Sequence, residues 1–127
     1  MRHVLLFDID GTLINTHGAG IGSLKAAMSS AFGIAEPTDE VVVHGRTDRG
    51  ITRDYFQHHQ IEDSPAHWER FRDAYLEHLP RLLVEKPGRV IAGIPELLQR
   101  LQGRNDVVLG LLTGNTRAGA TIKLGYY

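Results

Sequence analysis

Two continuous apolar runs frame the chain, and the stretch between them is patterned at helical spacing. Val4-Leu5-Leu6-Phe7 and Val107–Leu112 (VVLGLL) show no polar alternation. That predicts strands buried on both faces, over residues 3–8 and 107–112. From Ala19 to Phe32, the residues Ile21, Leu24, Met28, Ala31 and Phe32 follow a helical repeat, and Gly33 fits a C-terminal stop. Residues 50–59 read as a second helix with Ile51, Tyr55, Phe56 and His59 on one side. Ser64-Pro65 predicts a third start, with Ser as N-cap and Pro at the first helical position. Behind it Trp68, Phe71, Tyr75, Leu79 and Leu82 step by three and four, a stripe that reads as helical core. Pro80 inside that stripe predicts a kink or an end.

The remaining segments are shorter. Val41-Val42-Val43 fits a helical turn or a small strand. Lys86-Pro87-Gly88 and Gly93-Ile94-Pro95 are breaks, and Val90-Ile91 between them reads as a linker or a short extended piece. Pro95 opens a helix with Leu97, Leu98 and Leu101 on its inner face, ended by Gly103. A last helix is expected from about Thr116 to Gly125. The order strand, helical stretch, helix, strand, helix defines an α/β chain. Two similar strands so far apart imply a parallel pair with a domain inserted in its crossover. The predicted partition is 1–15 and 89–127 for the sheet unit and 16–88 for the helical insert.

Composition acts mainly by exclusion. A chain of 127 residues fits about one domain. Its 14 basic and 15 acidic residues give a net charge of −1, which favours neither nucleic acid nor a membrane surface. With no cysteine, disulfides, thiolate zinc sites and a cysteine nucleophile are excluded. No apolar stretch approaches the roughly 18 residues of a membrane span. Asp8 and Asp10 interrupt the N-terminal run too early for a signal peptide, so a soluble, cytoplasmic protein is expected.

The candidate chemistry sits behind the two strands. Asp8-Ile9-Asp10-Gly11-Thr12 places two carboxylates where the first strand ends, the position at which open α/β sheets carry their sites. Thr113-Gly114-Asn115 closes the second strand just before a helix, whose first N–H groups form a natural anion site. Phe7–Thr12 (FDIDGT) closely resembles the first motif of the haloacid dehalogenase (HAD) superfamily of phosphohydrolases. Leu111–Asn115 (LLTGN) resembles the second, in the correct order. The resemblance covers the whole chain, although only these two segments are specific.

That resemblance implies a HAD-like Rossmann-type core with a helical cap inserted after the first motif, the C1 type. It implies a magnesium-dependent phosphatase of a small phosphomonoester, similar to phosphoglycolate phosphatase. Asp8 would be the nucleophile that forms an aspartyl-phosphate, and Asp10 the general acid and then base. The dehalogenase branch lacks the second Asp, so Asp10 argues for phosphoryl chemistry. The Thr113 hydroxyl and the N–H groups near Gly114 and Asn115 would hold the phosphoryl group. Magnesium would take the Asp8 carboxylate and the Asp10 carbonyl, with water and substrate oxygens completing its shell. Gly45–Asp48 (GRTD) resembles a cap segment of phosphoglycolate-phosphatase-like proteins that faces the active site. Arg46 there would receive a substrate carboxylate by a bidentate contact, unless it pairs locally with Asp48 or the segment serves as a helix cap. A sugar-phosphate mutase, as in the similar beta-phosphoglucomutases, or a catalytically incomplete chain are the alternatives.

The family pattern also has a downstream Lys or Arg and an acidic motif for magnesium. No acidic residue follows Thr113. Lys123, the one downstream lysine, lies about 10 Å along the helix axis from the site and reads as a solvated helix residue. Arg117 reads as a first-turn surface residue, and His17 and His44 as ordinary loop histidines. His58, His59, His67 and His78 have no zinc spacing. Two strands alone leave two open edges. The expectation is therefore that polypeptide beyond residue 127, or a second chain, completes the sheet.

Overall fold

The computed structural model describes all 127 residues. Strand β1 (His3–Phe7) pairs in parallel with a later strand, β4 (Val107–Leu111), with His3 opposite Val107 and Phe7 opposite Leu111. Both strands lie where the apolar runs place them. The crossover between them carries helices α1 (Ala19–Phe32), α2 (Asp48–His58) and α3 (Pro65–Glu85), the stretch whose pattern is helical.

Local chemistry accounts for the helix ends. Gly18 and Gly33 flank α1 in left-handed conformations, φ 91° and 68°, which a glycine adopts without a Cβ clash. The Thr47 hydroxyl caps α2 by accepting from Gly50 N at 3.0 Å. Ser64 caps α3 by accepting from His67 N at 3.1 Å, and Pro65 fills the first turn as expected. Pro80 does not end α3, which runs on to Glu85. The proline costs one backbone donor. It lies on the exposed side, however, while Leu79 and Leu83 beside it are fully buried. Tertiary packing of that face holds the helix through the defect.

These helices share one core. Ile51, Tyr55 and Phe56 of α2 and Phe71, Tyr75, Leu79 and Leu83 of α3 meet Leu24, Ala27 and Met28 of α1. Phe56 sits edge-on to Phe32 at 5.3 Å and to Phe71 at 5.9 Å, the arrangement aromatic quadrupoles favour. The Trp68, Phe71 and Tyr75 stripe is thus core. Val41–Val43 forms neither helix nor strand.

The chain returns through a two-residue ribbon. Strand β2 (Ile14–Asn15) pairs antiparallel with β3 (Arg89–Val90), Ile14 opposite Val90. Val90 is therefore paired, not a free linker. Helix α4 (Ile94–Gln102) follows, then β4, then α5 (Arg117–Tyr126). A second, smaller core joins Ile9, Leu13 and Ile14 to Ala120 of α5.

The sheet corrects one expectation. Its strands are not buried on both faces: Val4 is 64% and Leu6 55% exposed, and α4 buries no side chain, Leu97 included. The sheet is two strands wide. The sequence of these strands suits covered faces, and within these residues nothing covers them. No helix is long and apolar enough to cross a membrane.

Candidate functional site

At the carboxyl end of β1 the chain turns tightly over Ile9. The N–H groups of Thr12, Leu13 and Ile14 converge on the Ile9 carbonyl at 3.2, 2.9 and 3.2 Å. Ile9 itself is fully buried. Gly11, at φ 80°, supplies the left-handed backbone of that turn. With Ile9 pinned inward, Asp8 and Asp10 on either side remain exposed, as alternation along an extended chain requires. One Asp8 oxygen accepts from Ile9 N at 2.8 Å.

Both aspartates line one cleft of about 750 Å³ between the sheet unit and the helical insert. The same cleft is lined by Thr113, Gly114 and Asn115 from the loop after β4 and by Arg46 from the insert. Every predicted site residue therefore faces it. Thr113 Oγ1 accepts from Asn115 N at 3.1 Å and from Asn115 Nδ2 at 2.7 Å, which ties the loop to itself. His44 also lines the cleft. His17 is an exposed loop residue at φ 53°. No group of three or more His, Cys, Asp or Glu side chains is arranged to enclose a metal, and Arg117 is a surface residue as expected.

Lys123 overturns its reading as a solvated residue. It is 4% exposed. Its Nζ donates to Asp10 Oδ1 at 3.0 Å and Oδ2 at 2.9 Å, and to Asn115 Oδ1 at 2.7 Å. Asn115 Nδ2 closes the ring by donating to Asp10 Oδ2 at 2.8 Å. The missed physics is side-chain direction. Helical side chains lean toward the helix N-terminus, so a long lysine stem recovers much of the axial distance. Its path lies past Gly20, where a Cβ would stand 3.3 Å from the ammonium. The stem is buried in the process while the head finds three acceptors.

Arg46 is partly engaged already. It forms an ion pair with Asp54 of α2, and donates to the Val42 carbonyl at 3.1 Å. Its local partner is thus Asp54, not Asp48.

Two further groups face the cleft that sequence alone did not single out for it. Asp48 is 8% exposed, and its carboxylate accepts from Thr116 N at 2.8 Å. Burial raises its pKa, the Thr116 N–H and the Lys123 charge oppose that rise, and Asp10 adds to it. Tyr75 is buried beside it, and burial, then the Asp48 and Asp10 charges, push its phenol far above the ordinary range. A GRTD segment hints at Asp48 as a helix-capping residue, but nothing local signals its long-range partner.

For a cation, the mouth offers mainly oxygen: the Asp8 and Asp10 carboxylates are both exposed on it, and His44 is the one imidazole on the lining. That set suits a hard ion that keeps most of its waters and takes one or two carboxylates. It does not suit a metal that needs nitrogen or sulfur ligands.

A parallel pair, helices in its crossover and two carboxylates at the first strand end make a mixed α/β fold with its acidic turn at the carboxyl end of the sheet. The chain belongs to the haloacid dehalogenase-like hydrolase family, whose pattern it matches over residues 5–126. Among solved structures it is similar to CbbY from Rhodobacter sphaeroides in complex with phosphate, at 19% identity and TM-score 0.74, over 96% of this chain and 55% of that one. A hydrolase from Pseudomonas syringae gives 20% identity and TM-score 0.74, over 99% of this chain and 56% of that one. A protein assigned as a phosphatase, from Clostridium difficile, gives 22% identity and TM-score 0.59, over 98% and 55%. The chain thus spans just over half the length of these proteins. No curated protein matches it significantly.

Proposed function

We propose that this chain carries the phosphoryl-transfer site of a magnesium-dependent phosphomonoester hydrolase. The observation that carries the reading is the convergence of Asp8, Asp10, the Thr113–Asn115 loop and a buried Lys123 on one cleft. Membership of the hydrolase family and the phosphate held by the similar CbbY support it.

In this reading an Asp8 oxygen attacks phosphorus, and the bond from phosphorus to the leaving oxygen breaks. Asp10, which takes up a proton as Lys123 engages the phosphoryl group, gives that proton to the leaving oxygen. Water then yields a proton to Asp10 and attacks the aspartyl-phosphate, which releases inorganic phosphate and restores Asp8. The Thr113 hydroxyl and the loop N–H groups hold the phosphoryl oxygens. Lys123 supplies the fixed positive charge that phosphoryl transfer needs. Magnesium, held by the Asp8 carboxylate and the Asp10 backbone carbonyl, would neutralise further phosphate charge when bound. The substrate is a small phosphomonoester such as phosphoglycolate, whose carboxylate Arg46 takes in exchange for Asp54.

We also infer that further polypeptide, contiguous or from a second chain, covers the exposed strands, since apolar side chains of β1 and β4 face solvent here. A cooperative, monomeric unfolding transition of the 127 residues alone would count against this.

The decisive experiment follows phosphate release from an aryl phosphate and from phosphoglycolate, with and without magnesium. Magnesium-dependent release that is abolished by Asp8→Asn is expected. Retained turnover in Asp8→Asn would sink the covalent role. Transfer of the phosphoryl group to product instead of water would indicate a mutase.

A further inference from the structure

The helical insert does more than roof the cleft, because it is stitched to the loop that follows β4. Asp48 N donates to the Gly114 carbonyl at 2.7 Å. In the opposite direction Thr116 N donates to Asp48 Oδ2 at 2.8 Å. The two segments also approach so closely that only glycine fits. A Cβ on Gly114 would lie 2.2 Å from the Arg46 carbonyl oxygen, 2.8 Å from its carbon and 2.9 Å from Thr47 Cα. All three are backbone atoms and cannot rotate away. A second contact lies deeper. Tyr75 of α3 packs on Gly119 in the first turn of α5, 3.3 Å from where a Cβ would stand.

The consequence is local and chemical. Thr116 is the N-cap of α5, and its hydroxyl is already committed to Gly119 N at 3.1 Å. Its own N–H is held by Asp48, so the start of α5 and the loop before it are set by a side chain from the insert. Asn115, in the middle of that loop, carries the bonds to Asp10 and Lys123.

We propose that Asp48 is a positioning residue: docking of the insert, through Asp48, fixes the Gly114–Thr116 loop in its anion-binding form. The phosphate loop is then complete only while the insert is closed on it. The proposal rests on the reading of Thr113–Asn115 as a phosphate loop. It differs from a competing role for the same carboxylate, that of an internal anion which blocks the helix start until phosphate displaces it.

Inorganic phosphate is the probe, titrated calorimetrically into the wild-type protein and into Asp48→Asn, Asp48→Ala and Gly114→Ala. Amide hydrogen exchange at residues 113–116 is followed in parallel without ligand. Asp48→Ala is expected to weaken phosphate binding roughly tenfold, within the usual range of coupling between sites, and to speed exchange at the loop. Asp48→Asn should recover most of the loss, because its amide oxygen still accepts from Thr116 N. Gly114→Ala, which wedges the segments apart without touching Asp48, should mimic Asp48→Ala. Unchanged or tighter phosphate binding in Asp48→Ala, or unchanged loop exchange there, overturns the proposal. If wild type binds no phosphate, the phosphate-loop reading fails, and slow exchange in wild type against fast exchange in Asp48→Ala still supports the stitch itself.

Discussion

The helical insert and the sheet unit handle apolar surface in opposite ways. The insert closes on itself: eleven buried side chains from three helices form one cluster with aromatic rings at its centre. The sheet unit buries four, and leaves the outer side chains of both strands in solvent. Yet the reacting groups proposed above belong to the poorly covered unit. On the proposed reading, packing and chemistry fall to different parts, and Asp48 and Tyr75 are the contacts that join them.

The largest test of that contrast is a deletion in the insert. Phe71 is fully buried and touches Phe56 and Trp68. Phe71→Ala should cost about 3–5 kcal/mol, the range for large-to-small changes in a packed aromatic core. Urea unfolding followed by tryptophan fluorescence would measure it. A loss under about 1 kcal/mol would mean that the insert is no better packed than the sheet unit.

Next in size is the Lys123–Asp10 pair, an ion pair inside the sheet unit. The burial is asymmetric, with Lys123 enclosed and Asp10 half-exposed. Asp10→Asn strands a buried charge and should destabilise by roughly 1–3 kcal/mol. Lys123→Met instead leaves a carboxylate that water can reach, beside an apolar stem of similar length, and should cost less than half as much. The reverse order in urea midpoints would show that Asp10, not Lys123, is the group dependent on its partner.

What could be read in advance follows the range of the interaction. Ser64-Pro65, Gly33 and the Asp8–Thr12 turn act within a few residues, and each is where the pattern places it. Val90-Ile91 reads only as a linker or a short extended piece because a two-residue ribbon has no periodicity, and the partner strand Ile14–Asn15 lies across the entire insert. Lys123 reads as solvated for a geometric reason: distance along an axis is legible in a sequence, while the lean of a side chain and the gap left by Gly20 are not. Asp48 and Thr116 are sixty-eight residues apart, and no local signal announces that their segments touch.

A smaller effect separates the two ways Asp48 can be held. Burial raises its pKa above the usual 3.8, so the folded state favours the protonated form. Its stabilising contribution is complete below the unfolded value and is lost as pH rises through the folded one. Thr116 N–H and Lys123 of α5 oppose this loss, while Asp10 beyond β1 adds to it. Tyr75 of α3 stays neutral throughout. Wild type should therefore lose stability relative to Asp48→Asn on going from about pH 4 to neutrality, measured as the difference in thermal midpoints. A difference independent of pH would mean that the carboxylate is charged at no net cost.

The smallest change asks whether the sheet is as bare in solution as its exposure suggests. Val4 faces outward at 64% exposure in the middle of β1. Val4→Thr keeps the shape, the branching at Cβ and the strand preference, and changes only one methyl for a hydroxyl. On an open face that hydroxyl is solvated, and the substitution should stay within about 0.5 kcal/mol. Under a covering segment or a second copy it would be buried without a partner and should cost about 1–3 kcal/mol, with a concentration-dependent midpoint if the cover is another chain. The near-neutral result would keep the contrast between the two units intact. The costly one would move the sheet into the same class as the insert, with its cover supplied from outside β1 and β4.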